Sequence, residues 1–176
     1  MALYEDLKEA VQEIVESSLS QYPTIKVIHA NQGKAEPTGD YCTVSILAIE
    51  QVGRATYDND VVVGDNIVVN SIAPYELTLL VNFIGNTSGD KAYSSHGRIS
   101  NSIVTKELSQ SLNLSVKNKS SVRRIPYLRN TIWVDVFNYT VTFNFFAGIT
   151  DSIPYIKQVI MQNADSGEII TIPETI

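Results

Sequence analysis

The sequence has one cysteine, Cys42, in 176 residues. A single thiol excludes an intrachain disulfide and a cysteine zinc cluster, and it suits a reducing compartment. Methionine is scarce as well, two residues against nine tyrosines and five phenylalanines, which favours a sheet-rich core. No apolar run approaches the ~20 residues that span a bilayer. The start, Met1-Ala2-Leu3-Tyr4-Glu5-Asp6, is acidic and amphipathic and shows no secretory pattern. Charged residues are few, 18% against 44% hydrophobic, so disorder is excluded and one α+β domain with a real core is expected. The net charge of -6 argues against a dedicated DNA-binding protein, which carries a basic face.

What charge there is lies unevenly. Residues 1–20 hold five acids against Lys8, whereas residues 115–130 hold Lys117, Lys119, Arg123, Arg124 and Arg129 with no acid. Broken by Pro126, the basic segment reads as a loop. Such a loop is either solvated, set against an acidic surface of a neighbouring subunit, or placed on phosphate. The first helix, 3–19, is an acidic surface of that kind, so these five residues are the candidate subunit or partner interface.

Periodicity supplies the elements. Leu3, Leu7, Ala10, Val11, Ile14 and Val15 recur at helical spacing, and Pro23 closes the segment. Strands are expected at 26–30 and 41–49, the latter apolar on both sides in its second half and so inside the sheet. Val61-Val62-Val63 and Ile67-Val68-Val69 flank a short turn, predicting a hairpin within 50–74 that either projects to another subunit or lies on the surface. Tyr75, Leu77, Leu79, Val81 and Phe83 share one strand face. A second helix is expected from about Asp90 to Leu112, capped by Ser88 or Asp90, with Gly97 marking close packing. The most regular alternation is Trp133 to Phe146. It reads as one long strand with Trp133, Phe137, Tyr139, Val141, Phe143 and Phe145 on an aromatic face, Asp135 excepted, and Asn138, Thr140, Thr142 and Asn144 on a polar face. Residues 147–176 read as a C-terminal hairpin or arm. The fold class is therefore α+β, a mostly antiparallel sheet with two amphipathic helices on one face.

Chemistry is harder to find. Ser94-Ser95-His96 brings hydroxyls near a base, but on a helix these side chains diverge. His29 on a short strand carries no better signal, and no Gly-x-Ser-x-Gly elbow exists. Asp58, Asp60 and Asp65 have the flavour of a calcium loop without its glycine and final glutamate, and Gly85 to Gly89 lacks the Lys-Ser or Lys-Thr of a phosphate loop. No catalytic residue, metal ligand or cofactor site is assigned.

Certain residues in order are familiar. A helix leads to a strand and then Ala30-Asn31-Gln32-Gly33, Pro37 and Tyr41-x-Thr43-Val44; a tyrosine-led strand at Tyr75, a glycine-ended loop, a helix and a tryptophan-led strand at Trp133 follow. This order, over most of residues 1–146, resembles the neck and tail terminator proteins of tailed bacteriophages. The resemblance implies a virion structural protein and not an enzyme, without cofactor or membrane, assembled in the bacterial cytoplasm. It implies a ring of copies of itself, commonly a hexamer, that caps the tail tube protein at the head-proximal end and docks the head-tail connector protein, with viral DNA only as passing cargo. A head-side connector or tail completion protein is the alternative in the same setting. A non-viral ligand-binding or enzyme domain is the alternative outside it.

Overall fold

A computed structural model describes residues 3–30, 33, 36–63, 66–101, 114–129, 131–154, 158–162 and 169–173, with side chains described except at 3, 57–67, 129 and from 149 onward. The chain divides into two compact units, Met1–Gly53 with Pro74–Phe146, and Arg54–Ala73 with Ala147–Ile176.

The first unit opens with α1 (Leu3–Ser18), whose acids Glu5 and Asp6 sit in the first turn, where the helix dipole favours them. Its stripe of Leu7, Ala10, Val11, Ile14 and Val15 is buried, as the spacing predicts. The helix stops well before Pro23: Leu19 folds back in a turn on Val15 and Glu16 and is itself buried. Strand β1 (Lys26–His29) lies parallel to β2 (Tyr41–Gln51). Strand β4 (Asn66–Ile84) runs antiparallel to β2, with a bulge between Ile46 and Ala48 that turns Leu47 out to solvent.

Beyond β4 lies β9 (Val136–Pro154). Tyr75 stacks on Phe145 at 5.5 Å and Phe83 on Tyr139 at 6.2 Å, so β9 recedes as β4 advances and the two are antiparallel. Strand β5 (Ser115–Lys119) closes the far edge against β9, giving the order β1-β2-β4-β9-β5, and β6 (Arg123–Arg124) also pairs with β9. Helices α1 and α2 (Ser88–Arg98) lie on the face that carries Leu77, Leu79, Val81, Phe83, Tyr139, Val141 and Phe143, all buried. Burying each such side chain contributes roughly 1.5–3 kcal/mol, so this layer holds the unit together. The fold class is α+β with a mostly antiparallel sheet, as the patterning indicates.

Four expectations change. The run from Trp133 is not one strand: Ile132–Val134 forms β8, which pairs with β7 (Tyr127–Arg129) in a separate hairpin, and the chain enters β9 only after Asp135. Trp133 is therefore 70% exposed and takes no place on the aromatic face. The basic segment is not a loop but the strands β5, β6 and β7. Helix α2 ends at Arg98, with Ile99 as its cap, and Ile103 to Leu112 lie outside the described residues. Within Ser88–Arg98 its buried residues are small, Ser88, Ala92 and Ser95, which lets it approach the sheet closely. Lastly, Gly97 faces open space; the closely packed glycine of α2 is Gly89, where a Cβ would stand 3.1 Å from a ring carbon of Phe137.

The second unit contains β3 (Thr56–Val63), antiparallel to residues 66–72 of β4, as the apolar arms around Gly64 and Asp65 predict. It also contains a hairpin of β10 (Gln158–Gln162) and β11 (Ile169–Pro173), in keeping with an expected C-terminal hairpin.

Candidate functional site

Two internal locks set the surface in place. In the first, Ser95 Oγ lies 2.6 Å from Ser18 Oγ and 2.8 Å from the Tyr139 hydroxyl, a buried chain joining α1, α2 and β9. Ser18 donates its hydroxyl hydrogen bond to the Val15 carbonyl at 2.7 Å, so each of these three hydroxyls is partnered. Burial raises the Tyr139 phenol well above its ordinary range against the opposing bond from Ser95. In the second lock the Asp40 carboxylate accepts the backbone N–H groups of Asn86 and Thr87 at 3.0 and 3.2 Å, the Thr87 hydroxyl, and Lys91 Nζ at 2.7 Å. Burial pushes this carboxyl up, but the bonds from Lys91 and Thr87 outweigh it and hold the acid at about 2. Asp40 thus does from a distance what Ser88 or Asp90 was expected to do locally: Thr87 is the N-cap, and Ser88 is buried inside the first turn. Gly85, at φ +125, is required here, because a Cβ would collide with the Asp40 carboxylate.

Among the candidate basic residues the structure separates three behaviours. Lys117 pairs with Glu76 across the sheet. Lys119 is half-buried, donating to the His96 carbonyl at 2.5 Å and to Ser100 Oγ at 2.7 Å, and burial lowers its pKa. Arg124 grips Asp135 Oδ1 through Nε and Nη2 at 2.9 and 2.6 Å. Arg123 is exposed and has no partner among the described residues, and the Arg129 side chain lies outside them. Three of the five therefore spend their charge inside the chain. Such exposed or half-exposed pairs each stabilise by about 0–1 kcal/mol.

The histidines each line a hollow. One, of about 400 Å³, is shallow and bounded by His96, Ser100, Lys117, Lys119 and Ser121. There Nε2–H of His96 is engaged by the Ser120 carbonyl at 2.9 Å and its ring meets Tyr139 edge-on at 5.2 Å, while the neighbouring Ser95 is buried and bonds Ser18 and the Tyr139 hydroxyl. The other hollow, about 220 Å³, is bounded by Tyr4, Lys8, His29, Ala30, Ser45 and Ile46. Burial lowers the His29 pKa, Lys8 lowers it further, and Glu5 opposes both. The side chains of Asp58 and Asp60, and all of Asp65, lie outside the described residues.

Sequence reasoning missed the most exposed apolar feature. On the β7–β8 hairpin Leu128 faces Trp133 across the ladder, and they are 57% and 70% exposed, with Ile132 at 68%. Ile125 and Tyr127 extend the patch. The available signal was the cluster of large apolar residues around Pro126 in a basic stretch. Large apolar side chains exposed together on one hairpin mark an interaction site more often than a core defect.

Residues 2–173 match the family of phage neck terminator proteins. The chain belongs to that family. No curated protein matches it. As a neck terminator the protein is a structural component of the phage tail and neck, and its surfaces are to be read as contacts with other virion proteins. The described residues of the terminator contain no helix long and apolar enough to cross a membrane.

Proposed function

We propose that this neck terminator assembles as a ring of identical subunits, a hexamer, at the head-proximal end of the tail tube. The ring ends tube growth, offers its other surface to the head-tail connector, and lets viral DNA pass through its lumen. The observation that carries this reading is the family match over residues 2–173. Two features support it physically. Acid and base are segregated within one unit, with Glu9, Glu13 and Glu16 exposed on α1 and Arg123 exposed on the far edge, so that head-to-tail contacts between copies are complementary. An overall charge of -6 disfavours tight phosphate contacts, which would hold DNA instead of letting it slide. Beside the Glu76–Lys117 ion pair, the sheet face opposite the helices carries an uncharged, half-buried stretch of Thr43, Thr78, Asn82, Thr140, Thr142 and Asn144. Such a stretch meets a neighbour or a lumen without the cost of desolvating ions.

The test is the mass of the purified protein in solution, alone and with tail tube protein, followed by electron microscopy of the assembly. A ring-sized species that stops tube growth is expected. A monomer under both conditions sinks the reading. Retention by portal-side protein and not by tube protein turns it into a head-side connector.

A further inference from the structure

The main sheet ends on an unfinished edge. In the order β1-β2-β4-β9-β5 the last strand is β5, and among the described residues no strand pairs with its outer side. The hollow of about 400 Å³ is lined by residues 116–121 in unbroken succession, with His96 and Ser100. Alternate side chains of a strand point to opposite faces, so a hollow lined by six consecutive residues follows the strand's edge. Ser120 N–H bonds the Thr140 carbonyl of β9 at 2.9 Å, and by the alternation of an antiparallel ladder the Lys119 N–H points outward. There it is taken by Asn118 Oδ1 at 2.7 Å, a side chain of its own strand in the place of a strand partner.

A second fragment of sheet is short of neighbours. Strands β10 and β11 form a two-stranded sheet of their own, and a two-stranded sheet is marginal in water. Strand β11 has five residues, as β5 has, and pairs with β10 on one side. Glu168 stands just before it and Glu174 just after it, and residues 158–176 hold three acids and no base.

We propose that β11 of one copy adds as a strand to the outer edge of β5 in the next copy. The inference rests on the ring reading above and assigns its subunit contact. Charge selects this occupant. No acid lines the hollow. Lys117 and Arg124 are neutralised by Glu76 and Asp135, but the Lys119 ammonium has only the neutral oxygens of His96 and Ser100, and Arg123 is exposed without a partner among the described residues. A bulge between Val116 and Asn118 and the lysines along the edge turn away an uncharged or basic strand. Carboxylates at both ends of β11 turn that repulsion into attraction. The acids of α1 can face Arg123 as well, but a helix spends its backbone groups internally and has none to give an edge strand. Donor strand and acceptor edge are different surfaces of one chain, so the contact is head-to-tail and closes into a ring or runs on as a filament.

The test uses the full chain in light scattering after size separation, alone and with tail tube protein. Ser121→Glu with Arg123→Glu, both at exposed positions, makes the edge acidic. Glu168→Lys with Glu174→Lys makes the hairpin basic, and where that pair unfolds it, Glu168→Gln with Glu174→Gln takes its place with a smaller loss expected. Each variant alone is expected to associate about tenfold or more weakly than the parent, at the parent's unfolding midpoint. An equimolar mixture of the two reversed variants is expected to reassemble, because each offers the other an oppositely charged partner. In the assembled parent, backbone amide exchange over residues 115–119 is expected to slow about tenfold or more relative to the hairpin variant. A folded variant that assembles like the parent overturns the inference and leaves the ring reading standing, as does one that has lost only capture of tube protein. A mixture of folded variants that stays apart overturns the pairing between copies, and assembly without slower exchange at 115–119 overturns strand addition. A parent that stays monomeric alone and with tube protein overturns the ring reading and the inference together.

Discussion

Tyr139 and Trp133 sit six positions apart in one alternating run, yet one is 1% exposed and the other 70%. Tyr139 lies under both helices with its hydroxyl bonded to Ser95, stacked on Phe83 and meeting the edge of His96. Trp133 stands on a two-stranded hairpin paired with Leu128. The same chemical type is therefore core at one position and surface at the other. What decides is whether a helix covers the strand, and alternation alone carries no information about cover.

The largest effect that separates the two regions is core truncation. Phe143→Ala is expected to cost about 3–5 kcal/mol in denaturant unfolding, because a fully buried ring leaves a cavity. Trp133→Ala, measured at concentrations low enough to keep the chain monomeric, is expected to change stability by no more than about 0.5 kcal/mol. Comparable losses at the two positions would break the contrast and return Trp133 to the core.

A finer cut acts within the covered region. Ser95→Ala removes the middle of the Ser18–Ser95–Tyr139 chain and leaves the Tyr139 hydroxyl buried without this partner. A cost of about 1–3 kcal/mol is expected, read from the unfolding midpoint. Tyr139→Phe in the same background should recover part of it, because the orphaned group is then gone. No recovery would mean that the hydroxyl finds another partner.

The legibility of these regions follows from which interactions are local. The α1 stripe and the alternation from Tyr75 to Phe83 are written at period 3.6 and period 2, and both survive into the fold. The break at Asp135 is not written that way. It is fixed by the Gly85 N–H bonding the Asp135 carbonyl at 3.3 Å and by Arg124 gripping the side chain, partners that are distant or unremarkable in sequence. The basic segment was legible as charge and not as pairing, since Lys117 finds Glu76 41 positions away. Asp40, which organises the start of α2, looks in sequence like any acid at the end of a turn. Only tertiary placement brings Asn86, Thr87 and Lys91 to it.

That lock yields a pH signature. The Asp40 acid is held at about 2 in the folded chain, against an ordinary aspartate near 3.9 when unfolded. A depressed folded pKa means that the contribution is complete above about pH 4 and is lost as pH falls from there through about 2. Acid titration of stability should therefore steepen in that window. Asp40→Asn, which lowers stability at neutral pH, should flatten the same limb. If the acid limb is unchanged in the variant, the carboxylate is not what holds the loop ahead of α2.

The smallest expected effect compares two glycines on one helix. Gly89 lies against the Phe137 ring, so an alanine there must push the ring by a few tenths of an ångström or tilt α2 on the sheet. Gly97 is exposed and meets nothing within 4 Å, and its φ is not in the left-handed range. Gly97→Ala should therefore stabilise by about 0.4–1 kcal/mol, through a smaller unfolded-state entropy, with the low end favoured because the helix ends at the next residue. Gly89→Ala draws on the same entropic gain and opposes it with the ring contact, so its midpoint should fall below that of Gly97→Ala. Equal gains at both would show that α2 rides loosely on Phe137. The covered region would then be held by the Ser18–Ser95–Tyr139 chain and the Asp40 loop, and not by close approach of helix to sheet.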